Sequence, residues 1–227
     1  MSDAIAPAHE IEPEAPERAG SLRDAAYEAI KHRIITCAFR PGEYLNEAHV
    51  CATLKLGRTP VHQALDRLMH EGMVDVIPRK GVIVRPVDLA EILQIIEVRL
   101  INEGHGVRLA AERAEPDDIA QMEDVLRRSE RAMHARDSEE MMRLDREFHH
   151  LIGRASKNAV LAGVLSRLHD RELRHWFISL TRPGHHASVH AQHQEILAAL
   201  RARDGAAADA AMRAHIDSFR RNLLDKS

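Results

Sequence analysis

Sixteen histidines in 227 residues is a high count, and imidazole is both a common metal ligand and a group that titrates near neutral pH. Helical rows sort them. Over 138–155, Asp145 and His149 stand four apart and share a face with Phe148 and Ile152, so a carboxylate and an imidazole project together from the buried side. His150 falls in the row of Arg143, Glu147 and Arg154 and is expected to face water. Over 186–203, His193 lies with Val189, Ile196, Leu197 and Leu200, whereas His185, His186 and His190 fall nearer the helix start or its flank. Over 206–224, His215 lies inward with Met212, Ile216 and Phe219. One inward histidine is ordinarily a hydrogen-bonded core residue. Three of them with an aspartate are hard to satisfy without a cation, and a divalent ion accepts that donor set readily. Zinc, nickel and manganese are all chemically reasonable. Asp145, His149, His193 and His215 are the expected ligands.

A second group of residues has the chemistry of DNA recognition. Arg58, Thr59 and His62 sit at the start of a short helix, where guanidinium, hydroxyl and imidazole can reach base edges or phosphates. Arg79 and Lys80, with Gly81 completing the turn, form a basic hairpin tip behind it. Residues 21–85 hold ten basic against seven acidic side chains, while residues 1–20 are net −4 and the remainder net −2. The positive segment is where nucleic acid is expected.

The elements that position these groups are legible. Residues 1–20, with Pro13, Pro16 and scattered acids, show no apolar periodicity and are expected to be disordered. Ser21 caps a helix through about Thr36, ended by Arg40-Pro41-Gly42. A short helix runs from Asn46 to Leu54. Thr59 is read as the cap of a third helix, with Pro60 at its first position and Gly72 at its end. The period then changes, and Met73–Ile77 and Val82–Val84 read as strands joined by Pro78-Arg79-Lys80-Gly81. That is a winged helix-turn-helix over 21–85. From Asp88 onward six helices are expected, at roughly 88–112, 117–135, 138–155, 158–181, 186–203 and 206–224. The fold class is mostly α, a winged helix-turn-helix followed by an antiparallel helical bundle over 88–227.

No apolar run approaches the length of a membrane span, and the N-terminus does not read as a signal peptide, so a cytoplasmic protein is expected. Cys37 and Cys51 have no metal-ligand spacing and read as small core residues. A metal-dependent enzyme in the bundle is one alternative, but no second cluster, paired Glu-x-x-His motif or base carboxylate accompanies the ligands. A metabolite binder with weakened DNA contacts is another.

The stretches Arg40-Pro41-Gly42-Glu43-Tyr44-Leu45-Asn46-Glu47, Gly57-Arg58-Thr59-Pro60-Val61-His62-Gln63-Ala64-Leu65, Glu71-Gly72-Met73-Val74 and Arg79-Lys80-Gly81-Val82 resemble, in order and spacing, the winged helix-turn-helix of the GntR family of transcription regulators. Ala48 and His62 stand where that family usually has Arg, and Gly57 where it usually has Ser. The C-terminal half resembles the FCD sensor domain of the FadR subfamily, in the shorter six-helix VanR-like form, and Asp145, His149, His193 and His215 match its metal ligands. The resemblance implies a double-stranded DNA operator, a homodimer, and a small carboxylate effector at the metal. It also implies that Arg99, in Glu97-Val98-Arg99, pairs with that effector. An ion pair from Arg99 to Glu103, four residues on, is the competing reading. Gly104 and Gly106 mark an expected kink beside the pocket.

Overall fold

The structure, a computed structural model, describes residues 21–78, 81–86, 88–179 and 185–224, without the side chains of 175–179 and 185. The expected disorder of residues 1–20 and the basic tip at Arg79 and Lys80 lie outside the described residues.

Helix α1 (Leu22–Ile35) begins at Ser21, whose hydroxyl accepts the Asp24 backbone N–H. It buries Ala26, Ile30 and Ile34 against Val61, Leu65 and Leu68 of α3 (Arg58–His70). Between them α2 (Glu47–Leu54) is capped by Asn46, whose Oδ1 accepts the Ala48 N–H at 2.8 Å. Lys55 closes α2 in a left-handed conformation, the tight break of a helix-turn-helix. The cap of α3 differs from the expectation. It is Gly57, with extended backbone and no side-chain bond, which places Thr59 inside the first turn and Pro60 at its third position. Proline is still tolerated there, because a first-turn N–H has no partner within the helix. Freed from capping, the Thr59 hydroxyl is an exposed donor.

The wing has three strands in the order β1-β3-β2, all antiparallel. Strand β1 (Tyr44–Leu45), which two residues of sequence cannot signal, pairs with β3 (Gly81–Val84), and β2 (Val74–Ile77) pairs with its other edge. Gly81 has φ +98°, a backbone conformation costly to any other residue at the entry to β3.

The bundle comprises α4 (Leu89–Arg113), α5 (Pro116–Ala135), α6 (Ser138–Ala155), α7 (Ala159–Ser179), α8 (His185–Arg201) and α9 (Gly205–Leu224). Helix α4 is central and packs on α6, α7 and α9, while α8 lies across α5 and α9. Helix α4 is continuous through Gly104 and Gly106. Their role is close approach. A Cβ on Gly104 would lie 2.3 Å from the Asp209 carboxylate on α9, and one on Gly106 would lie 2.9 Å from Leu165 on α7. Cys37 and Cys51 are free and half-buried rather than core. No helix among the described residues is long and apolar enough to cross a membrane.

Candidate metal, effector and DNA-binding sites

Three helices bring His149, His193 and His215 together, with one ring nitrogen of each within 4.8 Å of the others. All three are buried, and Asp145 is buried beside them with Oδ1 3.5 Å from His193 Nε2. Two of the rings are held from behind. His149 Nδ1 lies 3.2 Å from Glu103 Oε2, and His215 Nδ1 lies 2.9 Å from Gln192 Oε1. With Nδ1 donating to these oxygens, the Nε2 lone pairs point inward, the arrangement in which outer partners fix the tautomer of metal-binding imidazoles. His149 Nε2, His193 Nε2 and Asp145 Oδ1 have no hydrogen-bond partner among the described residues. Such orphaned buried atoms call for an explanation, and a divalent cation satisfies all three.

Electrostatics agrees with that fit. Burial pushes His193 down to about 3 and His215 well below its ordinary range, so both rings are neutral lone-pair donors at pH 7. Burial also pushes the Asp145 carboxyl upward, but the close His169 ring and the neighbouring imidazoles reverse that and hold it well below the usual carboxylate range.

The four ligands expected from helical rows are thus brought to one place. His169 of α7 is an addition that the rows could have revealed. It lies four residues from both Leu165 and Leu173 on a buried row, the same signal that marks His193. Its ring stacks on His149 at 4.3 Å between centroids, and Nε2 lies 3.2 Å from Asp145 Oδ2. Burial lowers it to about 4. His150 does not face open water. It is half-buried, with Nε2 3.0 Å from Ser166 Oγ, and desolvation lowers it to about 4 despite nearby Asp170.

Arg99 lines a cavity with Asp145, His169, Glu172, Gln192 and His215, floored by apolar groups that include Leu173 and Phe219. The guanidinium is 2% exposed and pairs with both Glu103 and Glu172. The ion pair to Glu103 is therefore present. Glu172, 73 positions away in sequence, gave no signal, because only the packing of α7 on α4 brings it there. One guanidinium nitrogen, Arg99 Nη2, is buried without a partner among the described residues.

At the other end of the molecule Arg58, Thr59 and His62 stand exposed along the outer face of α3, while Val61, Ala64, Leu65 and Leu68 are buried on the inner face. His62 Nδ1 meets Glu47 Oε1 of α2 at 2.9 Å. Asp66 adds an acid to the same outer face.

A helix-turn-helix with an exposed, polar second helix, a three-stranded wing and an attached helical bundle defines a DNA-binding transcription regulator. Residues 22–84 match the bacterial regulatory proteins of the gntR family, and residues 94–218 match the FCD domain. The chain belongs to the GntR family, among the members that carry an FCD domain. It is 32% identical over 204 residues to the transcriptional repressor GlaR of Escherichia coli, covering 84% of this chain and 90% of that protein. It is 35% identical over 133 residues to the Nta operon transcriptional regulator of Aminobacter aminovorans, covering 59% of this chain and 63% of that protein. Its fold is similar to that of E. coli McbR/YncC, with TM-score 0.82 at 24% identity, covering 91% of this chain and 99% of the other. These families and relatives are transcription regulators, not enzymes.

Proposed function

We propose that the protein is an effector-responsive regulator in which residues 21–85 read a double-stranded operator and residues 88–227 bind a divalent metal ion and a small carboxylate. The observation that carries this reading is the set of orphaned, inward-facing ligand atoms on His149, His193 and Asp145 beside a buried guanidinium. His149, His193, His215 and Asp145 hold the metal, with zinc, nickel and manganese suited to the donor set. The bound ion supplies a Lewis-acidic anchor for a carboxylate. Arg99 Nη2 offers that carboxylate a charge-assisted hydrogen bond.

Arg58, Thr59 and His62, together with the wing residues Arg79, Lys80 and Gly81, contact the operator. The protein works as a cytoplasmic homodimer, because palindromic half-sites need two paired reading heads. Effector binding shifts the population of two sensor arrangements and with it the placement of those heads.

His193→Ala tests the sensor. Elemental analysis is expected to find the variant without metal, and small carboxylates are expected to leave its thermal midpoint unmoved while raising that of the wild type. A variant that keeps both the metal and the shift removes the sensor reading. A gel shift on the promoter of the protein's own gene separates a regulator from a metabolite binder with a weakened head, since only the former retards the fragment.

A further inference from the structure

We propose that the effector is an ammonium carboxylate, a small amino acid or related zwitterion, whose carboxylate meets Arg99 and the metal and whose ammonium group meets Glu172. The inference rests on the effector reading above and narrows its ligand class.

Among the described residues three carboxylates are buried at this site: Glu103 and Glu172, which pair with the Arg99 guanidinium, and Asp145, which lines the same cavity. Without a metal ion the group is strongly negative, and a divalent cation brings it only to neutrality. A ligand bearing a lone carboxylate would then leave a buried uncompensated negative charge, a costly state. A zwitterion adds none.

The cavity also presents both complements. Arg99 Nη2 is a buried donor without an acceptor among the described residues, so it calls for an anionic oxygen. Glu172 lines the same cavity. Burial and the neighbouring Glu103 carboxylate hold its carboxyl above the usual range, even though Arg99 touches it. An ammonium group supplies three donors to that carboxyl group. The remaining wall, with Leu173, Val189, Ile216 and Phe219, suits a ligand with a short apolar side chain.

Matched triplets on one carbon skeleton provide the test. Glycine, glycolate and acetate form the first, alanine, lactate and propionate the second, and leucine with its hydroxy and unsubstituted acids the third. Thermal midpoints and calorimetric affinities are measured with full-length protein, metal-loaded and metal-free. In at least one triplet the amino acid is expected to bind about tenfold tighter than its hydroxy acid or plain acid, about 1.4 kcal/mol. Glu172→Gln is expected to abolish that preference and Glu172→Asp to retain it. The triplets on wild-type protein decide the matter even where Glu172→Gln does not fold.

A hydroxy or plain acid that binds as tightly as its amino acid in every triplet overturns the zwitterion but leaves the effector reading standing. No binding by any member, with metal bound, overturns both. A protein that takes up no metal yet ranks amino acids first supports the zwitterion and removes only the metal.

Discussion

His62 reaches solvent from the second turn of α3 and holds the Glu47 carboxylate at 2.9 Å, with its side chain 72% exposed. The hydrogen bond to Glu47, reinforced by the Glu47 and Asp66 charges, raises its pKa above the ordinary value. The charged form is thus favoured in the folded protein. Any stabilisation from this pair is complete below the unfolded value of about 6.5 and is lost as the pH rises through the higher folded value. The same proton places a positive charge on the reading face. Operator affinity is expected to be about three- to tenfold weaker at pH 8 than at pH 6, the scale of losing one charged backbone contact. Fluorescence anisotropy at constant salt measures it. His62→Arg is expected to flatten the profile at the tighter level, and a flat wild-type profile would deny His62 this role.

At the scale of elements, α7 connects sensor and reading head. His169 and Glu172 turn toward the ligand cluster and Arg99. Between them Asp170 pairs with Lys31 of α1, which is itself 2% exposed, and accepts from Arg146 Nε at 2.6 Å. Lys31 also donates to the Tyr27 hydroxyl at 2.6 Å. One turn on, Arg174 donates to the Arg85 carbonyl at 2.8 Å and so grips the segment between wing and bundle. In the proposed effector response, a movement of α7 driven from the cavity would reach α1 through these charged contacts. Asp170→Asn leaves Lys31 with the more distant Glu71, at 3.4 Å, as its carboxylate partner among the described residues. Urea unfolding is expected to show a loss of about 3 kcal/mol, the lower range for breaking a buried pair. The variant should keep its effector-induced thermal shift while operator affinity stops responding to effector. An unchanged response would mean that the signal leaves the sensor by another route.

For the whole molecule, the candidate ligand centre brings together side chains of α6, α8 and α9. A metal that binds the folded protein alone at a hundred times its dissociation constant stabilises it by about 2.7 kcal/mol. Chelation is therefore expected to lower the thermal midpoint by about 5–10 °C for a chain of this size. Scanning calorimetry before and after chelator, with restoration by added zinc, nickel or manganese, also ranks the metals. An unmoved midpoint across all of them would contradict a metal held at His149, His193 and His215.

Periodicity alone determined the helix-turn-helix, the wing strands β2 and β3, six bundle helices placed within a few residues, and the inward faces of Asp145, His149, His193 and His215. Each of these is a local property, because a helix repeats every 3.6 residues and its buried row is written in the chain. What local pattern could not supply was decided by tertiary packing. Gly57 rather than Thr59 caps α3, and Gly104 and Gly106 admit neighbouring helices without breaking α4. The same packing encloses the Arg99 guanidinium between Glu103 and Glu172 and links Lys31 to Asp170 across 139 positions. A charged side chain carries no periodic signature of its distant partner. Only the burial of both fixes the pairing, because an unpaired charge is too costly to leave inside.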